Sequence, residues 1–232
     1  MPKTIYLLLI TISILTGCST PTAQKDTPIK ESPPIVKSVD IESPETFTLD
    51  MEEWLLPKKN SRVRGAPITH VMLHFTNNAL RAPQDPYNIE EVYSLFEEYE
   101  VSAHYMIDRD GEIYLLVPEE RAAFHAGKGH LLNYQNYESG LNDYSIGIEL
   151  LAVGTSEEML SIMPAEIYDS ISPSDIGYTD AQYASLKELL DDILHRNPLI
   201  KSDREHIIGH DEYAPVRKSD PGDLFDWSRI GY

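Results

Sequence analysis

From Ile68 to Phe75 the chain is apolar at most positions, and the run stops at Thr76-Asn77-Asn78. A short apolar run closed by polar residues predicts a buried central strand. Alternation along that strand puts His70, Met72 and His74 on one face, with His74 at the end where a sheet opens into loops. Tyr144 to Val153 predicts a second such strand, apolar except that it carries Glu149 in its middle. Between them, Ile89, Val92, Tyr93, Leu95 and Phe96 recur at helical spacing within Asn88–Tyr99, and Asn88 is placed to cap that helix. Val101–Ile107 and Glu112–Val117 predict two strands joined by the hairpin turn Asp108-Arg109-Asp110-Gly111. Ala122 to Gly127 reads as a small-residue loop holding His125.

Gly154 to Tyr178 shows no period, and predicts a long surface loop or short helix with room to wall a groove. Thr179-Asp180-Ala181-Gln182 is a capping-box pattern that opens a helix. Tyr183, Leu186, Leu189, Leu190, Ile193 and Leu194 form its apolar stripe, and Asn197-Pro198 ends it. Phe225 to Ile230 adds a last helical turn. No internal repeat and no second domain is evident.

Composition narrows the partners. The formal net charge is −19, and phosphate binding needs a basic surface, so nucleic acid is excluded as a partner. The single cysteine, Cys18, permits no internal disulfide. It follows Lys3 and an apolar run, Ile5 to Leu15, that is too short to span a bilayer as a mature helix. Leu15-Thr16-Gly17-Cys18 resembles a bacterial lipoprotein processing site. The expected organisation is therefore a signal peptide at 1–17, a flexible tether at 18–46 starting at an acylated Cys18, and one domain at 47–232. The tether is rich in Ser, Thr, Pro, Lys and Glu and cannot bury enough surface to fold. The expected location is the bacterial envelope, lipid-anchored to a membrane and outside the cytoplasm.

Candidate chemistry concentrates in Gly209 to Gly222. His210 and Asp220 are ten positions apart in a loop carrying Pro215 and closing on Pro221-Gly222. That spacing lets both side chains reach one point, and imidazole nitrogen with carboxylate oxygen is a common zinc donor set. His74 reads as a third ligand or as a hydrogen-bonded core histidine; His70, at the strand start, reads as core. A carboxylate inside an apolar strand is costly unless paired or used, so Glu149 is either catalytic or a salt-bridged structural group. Lys218 reads as a cation aimed at the same point or as a solvated lysine.

Six segments occur in one order: His74 after its strand, Ser102-Ala103-His104-Tyr105, Phe124-His125-Ala126-Gly127, Ser145-Ile146-Gly147-Ile148-Glu149, Tyr178-Thr179-Asp180-Ala181-Gln182, and the His210–Gly222 loop. Together they resemble the zinc-dependent N-acetylmuramoyl-L-alanine amidases of the type 2 amidase and peptidoglycan-recognition-protein superfamily, from about Ile68 to Trp227. The resemblance implies an α/β fold, a central mixed sheet flanked by helices, with one zinc ion held by His74, His210 and Asp220. It implies Glu149 as general base, Lys218 beside the developing oxyanion, and His125 and His104 lining or underpinning a groove for peptidoglycan or muropeptides. The implied reaction is hydrolysis of the amide between N-acetylmuramic acid and L-alanine. Two rivals are a non-catalytic peptidoglycan-binding module of the same fold and a zinc peptidase acting within stem peptides. The leader favours the membrane-anchored branch over the cytoplasmic one.

Overall fold

The computed structural model describes residues 49–133 and 140–232. The leader, the tether and Cys18 lie outside the described residues. Eight strands are present among them: β1 Glu52–Glu53, β2 Ser61–Val63, β3 His70–Thr76, β4 Tyr105–Ile107, β5 Ile113–Leu115, β6 Arg121–Ala123, β7 Ser145–Leu151 and β8 Ile207–Gly209. The α-helices are α1 Ile89–Tyr99, α2 Leu141–Tyr144, α3 Ser156–Met159, α4 Ala165–Tyr168, α5 Asp180–Arg196 and α6 His210–Tyr213.

Six strands form one sheet in the order β1-β5-β4-β7-β3-β8. All neighbours are parallel except β4 with β5, so the sheet is mixed, as expected. Its centre is the pair β3 and β7, seven residues each, the two apolar runs that stand out in the sequence. Alternation divides their side chains cleanly. Val71, Leu73, Ile146, Ile148 and Leu150 face α5 and pack on Leu186, Leu189, Leu190 and Ile193. Burying such side chains contributes about 1.5–3 kcal/mol each, so this layer anchors the central strands. On the other face α1 packs Val92 and Phe96 against Met106, Leu116 and Leu151. The helices therefore flank the sheet, and the register between them decides which polar groups meet.

The caps behave as the sequence indicates. Asn88 accepts a bond from Glu91 N–H, and Thr179 and Gln182 form a complete capping box at the start of α5. At the hairpin, Asp108 Oδ1 accepts from the N–H groups of Asp110 and Glu112. Three expectations shift. The strand expected from Val101 starts only at Tyr105, because Ser102 N–H turns aside to Phe124 O. The small-residue loop is partly a strand: Arg121–Ala123 pairs antiparallel with Ser61–Val63 in a separate two-stranded sheet. Neither three-residue strand has room for a readable alternation. The stretch 154–178 folds as α3, α4 and a 3-10 turn, Pro173–Asp175, around the buried Met159, Met163 and Ile171.

Candidate active site

Strand register builds the site. His74 on β3 is the direct partner of Glu149 on β7, and Leu73 that of Gly209, so His210 begins α6 beside the same sheet edge. Three neighbouring parallel strands thus deliver His74, Glu149 and His210 at their carboxyl ends, where open α/β sheets hold ligands. The chain after α6 folds back, bonding Asp211 N–H to Asp220 O at 2.9 Å, and brings the Asp220 carboxylate between the two imidazoles. Asp220 Oδ2 lies 2.8 Å from His74 Nδ1 and 3.0 Å from His210 Nδ1. These three residues, all buried, form the one His/Cys/Asp/Glu group among the described residues whose donor atoms lie within 4.8 Å of one another.

The hydrogen-bond network assigns the ring protons. His210 Nε2 faces the carbonyl of Ala126 at 2.9 Å and must donate to it, which leaves Nδ1 a bare lone pair. Ser145 Oγ donates to Leu141 O at 2.7 Å and therefore accepts from His125 Nε2 at 3.2 Å. His125 Nδ1 then accepts from His74 Nε2 at 3.1 Å, and His74 Nδ1 is also bare. Two imidazole lone pairs and a carboxylate oxygen converge on one point, an arrangement that repels itself unless a cation or a proton lies among them. Each imidazole gives its other N–H to a fixed acceptor, as metal-ligating histidines do.

Titration points the same way. Burial pulls His74 down to about 4, and the adjacent Asp220 carboxylate opposes this only in part. Burial raises Asp220, but the two imidazoles beside it, His210 and His74, outweigh that and hold the carboxyl well below the usual range. Both groups are thus in the deprotonated forms a metal needs at neutral pH. The donor set fits zinc: nitrogen and oxygen ligands from three side chains, with a position left for water.

Glu149 stands apart from this trio. Its Oε2 is buried without a hydrogen-bond partner among the described residues. Burial, and then the nearby Asp220 charge, push its carboxyl well above the ordinary range, and Lys218 only partly opposes them. A raised native pKa means that the stability this carboxyl contributes is present below its unfolded value, about 4.3, and is lost as pH rises through the native value. Glu149→Gln should therefore stabilise the chelator-treated protein at about pH 8 by about 1–3 kcal/mol, with the gain vanishing near about pH 4. Thermal melts at both pH values check this; equal stability at the higher pH would mean that the carboxylate is satisfied.

Around these groups runs a groove of about 440 Å³, lined among others by Phe75, Phe124, His125, Ile162, Arg217 and Lys218. Lys218 is exposed on its rim. His125 lies in the groove, its ring resting where a Cβ on Gly147 would come within 2.5 Å, so a glycine at that register is what admits it. His104 does not reach the groove surface. It is fully buried, its Nδ1 accepting from Gly147 N–H at 2.9 Å and its Nε2 set against Arg121 O at 3.1 Å. Burial and the adjacent Arg64 keep it neutral, near about 3. Of the two places the resemblance allows it, lining or underpinning, His104 takes the second here, fixing the backbone of β7 beneath His125. His70 is core, as expected, buried and stacked on His206 with ring centres 5.3 Å apart.

Sequence reading missed Ser145 and Asn142. Ser145 shares the alternation of Gly147 and Glu149, which was the available signal. Asn142 Oδ1 accepts from the N–H groups of His125 and Ala126, and nothing in its neighbourhood announces that.

An α/β sheet that gathers two buried imidazoles, a loop aspartate and an unpaired glutamate at its strand ends points to the hydrolase class, with donors that could hold a metal ion. Within that class the chain belongs to the N-acetylmuramoyl-L-alanine amidase family Amidase_2, whose model matches residues 64–223. It is 37% identical over 146 residues to the 1,6-anhydro-N-acetylmuramyl-L-alanine amidase AmpD of Citrobacter freundii, covering 63% of this chain and 63% of that relative. The chain thus spans somewhat less than two thirds of that relative's length. A crystal structure of an AmpD derivative superposes with a TM-score of 0.55 at 27% identity, covering 79% of this chain and 94% of the other. The E. coli amidase AmiD, in complex with the substrate anhydro-N-acetylmuramic acid-L-Ala-D-gamma-Glu-L-Lys, superposes at 0.51 and 27% identity, covering 73% and 59%.

These relatives correct one expectation. AmpD, which several of the matched relatives are, is a cytoplasmic anhydromuramyl amidase. The lipid-anchored, extracytoplasmic location read from the Leu15–Cys18 pattern is therefore not retained.

Proposed function

We propose that this chain hydrolyses the amide joining the lactyl group of N-acetylmuramic acid to L-alanine in peptidoglycan or its muropeptides. The observation that carries the reading is the convergence of His74 Nδ1, His210 Nδ1 and Asp220 Oδ2 beside the unpaired Glu149. His74, His210 and Asp220 would hold one zinc ion. When bound, that ion would supply Lewis acidity and bring the pKa of a water near neutrality.

The chain's own groups do the rest. Glu149, a weak acid in its buried setting, takes the proton of the attacking water and passes it to the departing nitrogen. The L-alanine end leaves as an amine and the muramic acid as a carboxylic acid. Lys218 places an ammonium on the groove rim, where charge develops on the carbonyl oxygen. His125 Nδ1 accepts a hydrogen bond from His74 Nε2–H, which fixes the His74 proton there and leaves its Nδ1 lone pair available to a metal. The family membership, and the substrate named for AmiD, support the sugar–peptide bond over a bond between stem amino acids.

Incubation of the protein with purified muropeptides, followed by product masses, tests this. A free L-alanine amine together with peptide-free muramic acid is the expected result. Muramoyl-alanine left intact with a shortened stem would make the protein a peptidase, and unchanged substrate in the presence of zinc would make it a binding module.

A further inference from the structure

The segment between β7 and α5, residues 154–178, touches the Asp220 loop at both of its ends. Near its start, Glu158 Oε1 accepts from Asp223 N–H at 2.7 Å, while its Oε2 accepts from Thr155 N–H at 2.6 Å and from Thr155 Oγ1 at 2.9 Å. At its end, the hydroxyl of the half-buried Tyr178 donates to Pro221 O at 2.6 Å. With the Asp211–Asp220 bond, three successive stations are held: the carbonyl of residue 220, the carbonyl of residue 221 and the N–H of residue 223.

The sequence leaves room for this grip. A Cβ on Gly222 would stand 2.3 Å from Glu158 Oε1, and one on Gly154 would stand 2.5 Å from Oε2. The carboxylate is thus bracketed by two glycines, one on the strap and one on the loop. The strap is itself held by Met159, Met163 and Ile171 packing on Val153 and Ala79, and by the bridge from Val153 to Ile176. Tyr178 is fixed separately, its ring edge-on to Phe225 at 5.1 Å. The same strap presents Ser161 and Ile162 to the groove.

We infer that Tyr178 and Glu158 are positioning residues that hold Asp220 in place for the metal, and that the strap makes the metal-bearing loop and one groove wall a single unit. This rests on the reading of Asp220 as a zinc ligand. Partners that orient a ligand typically change metal affinity by about 10–100-fold when removed. The test is zinc affinity, by competition with a chromogenic chelator, for the wild type, Tyr178→Phe, Glu158→Ala and Glu158→Gln. Tyr178→Phe deletes one oxygen and keeps the ring packing, so it decides the matter if Glu158→Ala does not fold. The expected result is a zinc dissociation constant raised about 10-fold or more in Tyr178→Phe and Glu158→Ala, with partial recovery in Glu158→Gln, which keeps an acceptor for Asp223 N–H. Far-ultraviolet circular dichroism should be unchanged in Tyr178→Phe. Wild-type affinity in Tyr178→Phe and Glu158→Ala would overturn the inference and leave the zinc site standing. A wild type that takes no zinc would overturn both.

Discussion

Glu149→Gln leaves the zinc content of the protein at the wild-type level and lowers turnover roughly 100-fold or more, the usual size of an acid–base contribution. The two halves of that result have separate causes. Glu149 is not among the three converging donors, so glutamine in its place removes no ligand. Glutamine also keeps the shape of the side chain on β7, and Met106 and His74 keep their register with it. What disappears is the one carboxylate beside the metal position with an unsatisfied oxygen. An amide can neither take a proton from water nor return one to the leaving nitrogen. The gain in stability expected for the same variant runs opposite to the loss in rate, as it should when a group is buried for chemistry at a cost to the fold. Normal turnover in Glu149→Gln would remove the base assignment; loss of zinc would mean that Glu149 acts as a ligand.

His210→Ala is expected to abolish zinc binding and activity together while the domain stays folded. The substitution removes the Nδ1 donor and leaves two of three ligands, too few for the closed side of a catalytic site. It also removes the donor to Ala126 O, yet Arg217 Nη2 donates to the same carbonyl at 3.0 Å, so that buried oxygen keeps a partner. The loss of stability beyond the small cavity is therefore about 1 kcal/mol, the net worth of one hydrogen bond. Metal analysis beside a thermal melt separates the effects. Wild-type zinc in a folded His210→Ala would exclude His210 as a ligand.

Much of this site was legible before any coordinates because its residues break local rules. Glu149 is visible as the one charge in a strand that is otherwise apolar. His74 is visible as the last inward side chain of another. The His210–Asp220 spacing needed only that the loop fold back, and a capping box marked where α5 begins. What stayed hidden depends on partners distant in sequence. His104 and His125 look alike along the chain; only the contacts with Gly147, Arg121 and Ser145 show that one is locked below the groove and the other opens onto it. The strap has no period because its short helices pack by a handful of methionines and isoleucines rather than by a face, so Glu158 carried no signal, and Tyr178 stood out only as the first residue of the segment that opens α5. The anchor reading failed for a different reason. It rested on the leader and tether, with Lys3, the apolar run Ile5–Leu15 and the Leu15–Cys18 pattern, and on no property of the folded domain, and the relatives of that domain point elsewhere.

The most direct measurement is a titration of zinc into chelator-stripped protein, with release of the L-alanine amine from a muropeptide followed at each addition. Turnover should be absent at the start, rise in proportion to the metal added, and level off at one ion per chain. Full turnover before any metal is added, or a plateau that does not depend on His74, His210 and Asp220, would contradict the account.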